Sequence, residues 1–376
     1  MEIKKAATSE IRKINRNSVY QVLKENPVLS RQEIVQKTGL CLPTVTQNLD
    51  SLIAQGLVEV SGLASSTGGR KAKAYRIVGN AKTAVGLDIT RNHITAVLVD
   101  ITGAVVHKIR IRQAFSAEDS YYRILGDMVT RVIEESGNIT DSVLGVGIGV
   151  PALLSDDHQI MTNGEKLGCT GLTCAELSQY IPFSSNFFND SDSACFAEGW
   201  GRSDLGDAFY LMLSNSVGGA YMFADPSGSL RVTLRHSEIG HSTIIPGGEL
   251  CYCGKHGCAN AYCKASVLSQ TTGNNLERFF ELLQSGDAQA SSLWQTYLEH
   301  LSYVVSNIRV TMQCKVIIGG YVGAYIEEYI DDLRALTIQR NFFDSNGDYI
   351  IPCHFKNESI AAGAALPYID RFLKEI

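Results

Sequence analysis

The sequence predicts an α/β protein: an N-terminal winged helix-turn-helix head followed by a body of two similar α/β lobes that face a cleft. Three observations predict it. Residues 1–80 hold twelve Lys and Arg against six Asp and Glu, a net of +6, while the remaining chain carries -12 of an overall -6. Three short helical patterns in that basic head are followed by two strands around a Gly-rich tip, and a pattern of three strands occurs twice in the body. A basic head on an acidic body points to nucleic acid at one end only.

The head reads in order. Val19, Val22 and Leu23 form one apolar face, and Pro27 stops that helix. Ser30 stands three residues before Glu33, a capping-box spacing that starts a second helix, which Gly39 ends. Pro43 suits the first turn of a third helix whose Val45, Leu49, Leu52 and Ile53 face inward. Residues 57–60 and 74–78 read as strands flanking the polar tip 61–73, a wing.

In the body, strands are expected at 84–89, 94–99 and 105–111, and again at 208–213, 219–223 and 230–234, with buried strands at 144–150 and 316–318. A chain of 376 residues, 45% hydrophobic and 19% charged, has material for two or three globular domains. The first residues lack an apolar run behind their charges, and the longest nearly apolar stretch, 143–154, falls short of the roughly 18 residues of a membrane span. The expected location is cytoplasmic, with no membrane insertion, and the ten cysteines are expected as thiols or metal ligands.

Three groups of residues carry chemistry. Thr44, Thr46, Gln47 and Asn48 are expected on the solvent side of the third helix, where short polar side chains reach base edges in a major groove. Gly69, Arg70 and Lys71 at the wing tip suit a narrow minor groove, although a small three-helix bundle beside a solvated loop has a similar pattern. His241 with Cys251, Cys253 and Cys258 forms a knuckle in which Gly254 and Gly257 allow three thiolates and one imidazole to converge as a closed, structural zinc site; Cys263 and His256 are rival ligands that the spacing disfavours. Glu238 lies three residues from that histidine, and Asn189-Asp190 follows the strand-like 186–188, so these groups suit a sugar's hydroxyls, although an Asn-Asp pair also serves as a turn.

The order of these features resembles the ROK family (repressors, open reading frames and kinases), in its xylose-repressor and N-acetylglucosamine-repressor branch. The carriers are the head with its Gly68-Gly69-Arg70 wing, the run Gly145-Val146-Gly147-Ile148-Gly149-Val150-Pro151, Asn189-Asp190, Glu238 to His241, the knuckle and Gly319-Gly320. The resemblance implies an actin-like, ribonuclease-H-like body: a head over 1–80, a first lobe over 81–190 completed by a C-terminal helix at 359–376, and a second lobe with the knuckle over 191–358. It also implies zinc on His241 and the three knuckle cysteines, and a sugar held by Asn163, Asn189, Asp190, Glu238 and His241.

Three departures bear on activity. The family's kinases carry an Asp-x-Gly-Gly-Thr phosphate loop, in which missing side chains let backbone approach ATP; the matching stretch here is Asp88-Ile89-Thr90-Arg91-Asn92. A second, Gly-Thr-Gly-rich loop is here Ser214-Asn215-Ser216-Val217-Gly218-Gly219, and a sugar-binding Glu after the knuckle is replaced by Asn260, which keeps hydrogen bonding without charge. Asp190 matches the kinases' general base and survives as a hydrogen-bond acceptor. The expectation is a non-enzymatic repressor of sugar uptake or catabolism genes, binding operator DNA as a homodimer or dimer of dimers under control of a sugar effector. The alternatives are an active sugar kinase with a fused DNA-binding head, or a regulator controlled by a protein partner.

Overall fold

The computed structural model describes residues 2–63, 73–138, 140–202, 204–223 and 233–376. The head comprises α1 (Glu2–Glu25), β1 (Leu29–Ser30), α2 (Arg31–Thr38), α3 (Leu42–Ala54), β2 (Val58–Leu63) and β3 (Lys73–Ile77), with the strands in an antiparallel sheet of order β1-β3-β2. The capping box is complete. Ser30 N–H donates to Glu33 Oε2 (2.7 Å), and Glu33 N–H donates to Ser30 Oγ (3.3 Å). Gly39, with φ +68°, ends α2 and turns the chain into α3, whose first turn holds Pro43. Val19, Tyr20, Leu23, Ile34, Val45, Leu49 and Leu52 are buried between these helices and the sheet. The expected wing tip, with Gly69, Arg70 and Lys71, lies outside the described residues.

The first body sheet uses β4 (Thr83–Ile89), β5 (His93–Asp100), β6 (Val105–Arg112), β7 (Val143–Val150) and, after a short ribbon of β8 (Leu153–Leu154) and β9 (Met161–Asn163), β10 (Ser185–Asn189). Helix α4 (Asp119–Glu135) packs on β5 and β6, and α5 (Cys174–Leu177) precedes β10. The order is β10-β7-β4-β5-β6: three antiparallel neighbours, then two parallel additions.

Helix α6 (Asp190–Gly199) leads to the second sheet, built from β11 (Ala208–Leu213), β12 (Val217–Phe223) and β13 (Thr233–Ser237). After α7 (Ala259–Cys263), α8 (Ser266–Ser269), α9 (Leu276–Gln284) and α10 (Ala288–Met312), it is completed by β14 (Lys315–Gly319), α11 (Gly320–Gly323), α12 (Ile330–Ile338) and β15 (Ile350–Pro352). Its order, β13-β12-β11-β14-β15, repeats the first. Of the third strand expected at 230–234, residues 230–232 lie outside the described residues, and Thr233 and Leu234 lie in β13, paired with Phe223 and Met222.

The final helix, α13 (Ser359–Glu375), returns to pack on β4 and β7 with α6 on its other side. Glycines permit this approach. A Cβ on Gly86 or Gly147 would lie 1.8 Å from the carbonyl oxygen of Ala361 or Ala364, and one on Gly363 would lie 1.7 Å from that of Ser193. One apolar cluster runs from Val19, Tyr20 and Leu23 of the head through Val97, Val99 and Ile101 to Ala362, Leu366 and Ile369 of α13, so the head is docked on the body. Among the described residues, no helix is long and apolar enough to cross a membrane.

Candidate functional site

The cleft begins where β10 runs into α6, at the carboxyl ends of two parallel strands. Asn189 is the cap of α6: its Oδ1 accepts from Ser191 N–H (3.0 Å), Asp192 N–H (3.2 Å) and Ser191 Oγ–H (2.7 Å), and its Nδ2 donates to Ala152 O (3.1 Å). That amide is engaged in capping the helix. Asp190 is the first residue of the helix and is buried; burial raises its pKa, opposed first by the charge of Lys166. Asn163 is exposed at the end of β9, where its Oδ1 accepts from Glu165 N–H (3.2 Å). Beside it, Lys166 donates to Ser216 Oγ (2.9 Å) and so bridges the lobes.

His236 joins two carboxylates, with Nδ1 3.4 Å from Asp192 Oδ1 and Nε2 3.1 Å from Glu238 Oε1, and these raise its pKa to about 9. Lys166 and His236 carry no distinguishing signal in the sequence. Lys166 stands only three residues after Asn163, but the bridge it makes depends on a loop 50 residues away.

Asp88 of β4 is buried, and desolvation, with the charge of Asp190 adding to it, lifts its pKa from 3.8 to about 7. A carboxyl group whose folded pKa is raised binds more protons in the native than in the unfolded chain. Stability therefore falls as pH rises between the two values, by at most about 1.4 kcal/mol per pH unit. Asp88→Asn is expected to remove this residue's share of that slope, so that urea denaturation shows a smaller fall in stability from pH 5 to pH 7 than in the parent chain; a slope as steep as that of the parent chain would contradict this assignment.

The second group is compact. The ligating atoms of His241, Cys251, Cys253 and Cys258 all lie within 4.8 Å of one another. His241 Nδ1 is 3.7 Å from Cys251 Sγ, and Cys253 and Cys258 Sγ are 3.8 Å apart. Tetrahedral metal–sulfur bonds of about 2.3 Å place neighbouring donors about 3.8 Å apart, so this set could hold a metal ion. Tyr252 O–H lies 2.9 Å from His241 Nε2 and helps orient the ring. The rivals are elsewhere: Cys263 is buried in the lobe's core, and His256 Nδ1 faces Gly248 O (2.8 Å).

Asn260 corrects an expectation. It is 2% exposed, its Oδ1 accepts from Val217 N–H (2.8 Å), and its Nδ2 points at Cys251 Sγ (3.9 Å). With both ends of the amide engaged, it braces the knuckle against the loop before β12 and presents nothing to a sugar. In the two stretches that depart from the kinases' phosphate-loop patterns, side chains make local hydrogen bonds. Thr90 closes the β4–β5 turn through its hydroxyl and the backbone of His93 (3.1 and 3.0 Å), and Ser214 Oγ accepts from Tyr321 N–H (3.3 Å) beside Gly320.

On α3, Gln47 is exposed and Thr44 and Thr46 are half-buried beside it, Thr46 Oγ donating to Leu42 O (2.9 Å). Leu42, Pro43, Thr46, Gln47 and Asp50 line a shallow hollow of about 490 Å³. Asn48 is not on that side. Val45, Asn48, Leu49 and Leu52 share the inner face, and Asn48 Nδ2 donates to Thr44 O (2.9 Å); the i, i+3, i+4, i+7 spacing from Val45 was the signal that places it there.

Residues 84–370 match the ROK family. The chain belongs to the ROK family. It is 23% identical to the xylose repressor of Bacillus subtilis (strain 168), covering 97% of each chain, and 25% identical to the N-acetylmannosamine kinase of Escherichia fergusonii, covering 59% of this chain and 78% of that one. A crystal structure of a ROK family transcriptional regulator, a homologue of the E. coli MLC protein, matches with a TM-score of 0.72 at 18% identity, covering 97% of each chain, which supports the fold. ROK relatives thus include both repressors and kinases. The match to the repressor extends over the head, and that to the kinase does not span the whole chain.

Proposed function

We propose that this chain is a cytoplasmic, sugar-responsive transcriptional repressor: its head is a winged helix-turn-helix that binds operator DNA as a homodimer, and its actin-like body binds a sugar without phosphorylating it. The observation that carries the reading is the full-length likeness to xylose repressors, together with the exposed Gln47 on the outer face of α3 in a docked head. Thr90 and Arg91 in place of the glycines of the kinases' phosphate loop, with Thr90 bonded into the β4–β5 turn, favour a non-enzymatic body. Asp190 and Glu238 are the residues best placed to receive sugar hydroxyls, with Asn163 at the rim; Asn189 stands behind them as a cap, and both ring nitrogens of His241 are engaged, Nδ1 toward Cys251 and Nε2 with Tyr252. D-xylose is the first effector to try. The knuckle fits structural zinc, which would hold the loop that carries Glu238 to the second lobe.

Gln47→Ala is expected to weaken binding to the DNA upstream of the chain's own gene by about tenfold, the loss of one base contact, with little change in melting temperature. Unchanged affinity would remove α3 from the DNA interface. The kinase alternative is tested by ATP consumption over pentoses, hexoses and amino sugars. Turnover abolished by Asp190→Asn would establish it in place of this reading.

A further inference from the structure

The lobes are joined by two segments of chain: α6 with residues 200–207 leading into β11, and residues 353–358 between β15 and α13. Glu198, wholly buried in the last turn of α6, fastens the two together by accepting from His354 N–H (3.0 Å) and Phe355 N–H (2.8 Å). Rotation of one lobe against the other has to be absorbed at these element ends, which include Gly201 (φ +77°) and Gly206 (φ +62°).

The head sits on this hinge. Trp200, the residue that caps α6, lies beneath Lys24 of α1, whose Nζ is 3.3 Å from the ring centroid. Two glycines make the seat: a Cβ on Gly103 (φ +91°) would lie 2.2 Å from the Trp200 ring, and one on Gly201 would lie 2.7 Å from Lys24 Nζ. The Lys24 ammonium is enclosed and finds no hydrogen-bond acceptor among the described residues, so the ring face is its contact. Burial pulls its pKa down to about 8 against the pull of Asp100, Asp370 and Glu25. Tyr20 O–H, one turn earlier on α1, donates to Ile101 O (2.9 Å) and fixes the same helix to the turn after β5.

The opposite end of α6 is Asp190 in the cleft. A helix of ten residues, about 15 Å long, thus runs from the effector site to the underside of the head. We infer that the Lys24–Trp200 contact is the coupling element through which lobe closure on a sugar is transmitted to α1 and from there to α2 and α3. The inference rests on the reading of the chain as a sugar-responsive DNA-binding regulator. It assigns the coupling to a docked contact on the hinge, and it names two residues outside both binding sites as those that set its size.

The test uses the full chain, DNA upstream of its own gene, and a panel of D-xylose, D-glucose and N-acetylmannosamine. Binding of each sugar is followed by calorimetry and DNA affinity by fluorescence anisotropy. Lys24→Met, which keeps the aliphatic stem, and Trp200→Phe, which keeps a smaller ring, are expected to bind sugar and DNA separately within about threefold of the parent while losing most of a sugar response of about tenfold. Trp294→Phe leaves Trp200 as the sole tryptophan, and its emission is expected to shift when sugar binds without DNA. If the parent responds to a sugar and both variants respond equally, the contact is not the coupling element and only this inference falls. If the parent binds no sugar, or binds one with no change in DNA affinity, the reading under Proposed function falls and this inference with it.

Discussion

With zinc on the knuckle as proposed, Cys258→Ser is expected to lower metal content to less than about a tenth of the parent's, and to destabilise the second lobe by about 4 kcal/mol, roughly a 10 °C fall in melting temperature. The size follows from how little else holds the knuckle. Residues 243–258 are joined by two isolated bridges, Thr243 with Cys258 and Leu250 with His256, and by a few backbone bonds such as Cys251 N–H to Lys255 O (2.8 Å). Leu250 and Tyr252 point outward, 64% and 63% exposed, so there is little apolar burial to replace the metal. Cys258 itself is buried and precedes α7, so its loss reaches Asn260 and the Val217 N–H that this amide holds. Metal analysis and differential scanning calorimetry check the prediction. Full stability in a metal-free variant would show that the knuckle is held by packing alone.

Gly147→Ala is expected to cost about 3 kcal/mol, roughly 6–12 °C in melting temperature, although it adds one methyl group. The added carbon would lie 1.8 Å from Ala364 O and 2.4 Å from Ala364 C, so the backbone of α13 would have to lift off β7. No flexible side chain can give way there. On its far side α13 meets α6 through Gly363, whose Cβ would lie 1.7 Å from Ser193 O, so the displacement has no free direction. Ala at Gly137, where no atom lies within 4 Å, is the control; its cost is confined to the strain of φ +72°, about 1 kcal/mol. Equal melting temperatures for the two variants would contradict the packing account.

The head was legible because its signals are local. A capping box, a helix-ending glycine and an early proline each act over three or four residues, and all three appear where the spacing puts them. The two strand triples were legible for the same reason, and the topology they share emerges only when β7, β10, β14 and β15 join them by parallel pairing over long separations. The knuckle could be read from chain spacing because its three thiolates lie within eight residues. What failed was orientation. Asn48 lies on the inner face of α3 although its residue type suits the outer one, and Asn260 faces away from a sugar because a backbone N–H 43 residues away claims its oxygen. Lys24 and Trp200 carry no local signal, since their contact exists only after the head has docked on the hinge.

The most direct measurement is the affinity of the full chain for the DNA upstream of its own gene, taken with and without a sugar that calorimetry shows to bind. The account predicts a drop of about tenfold on adding the sugar, and an equal factor in sugar affinity on adding the DNA, because coupling between two sites is reciprocal. Tight binding of both ligands with neither affecting the other would contradict it.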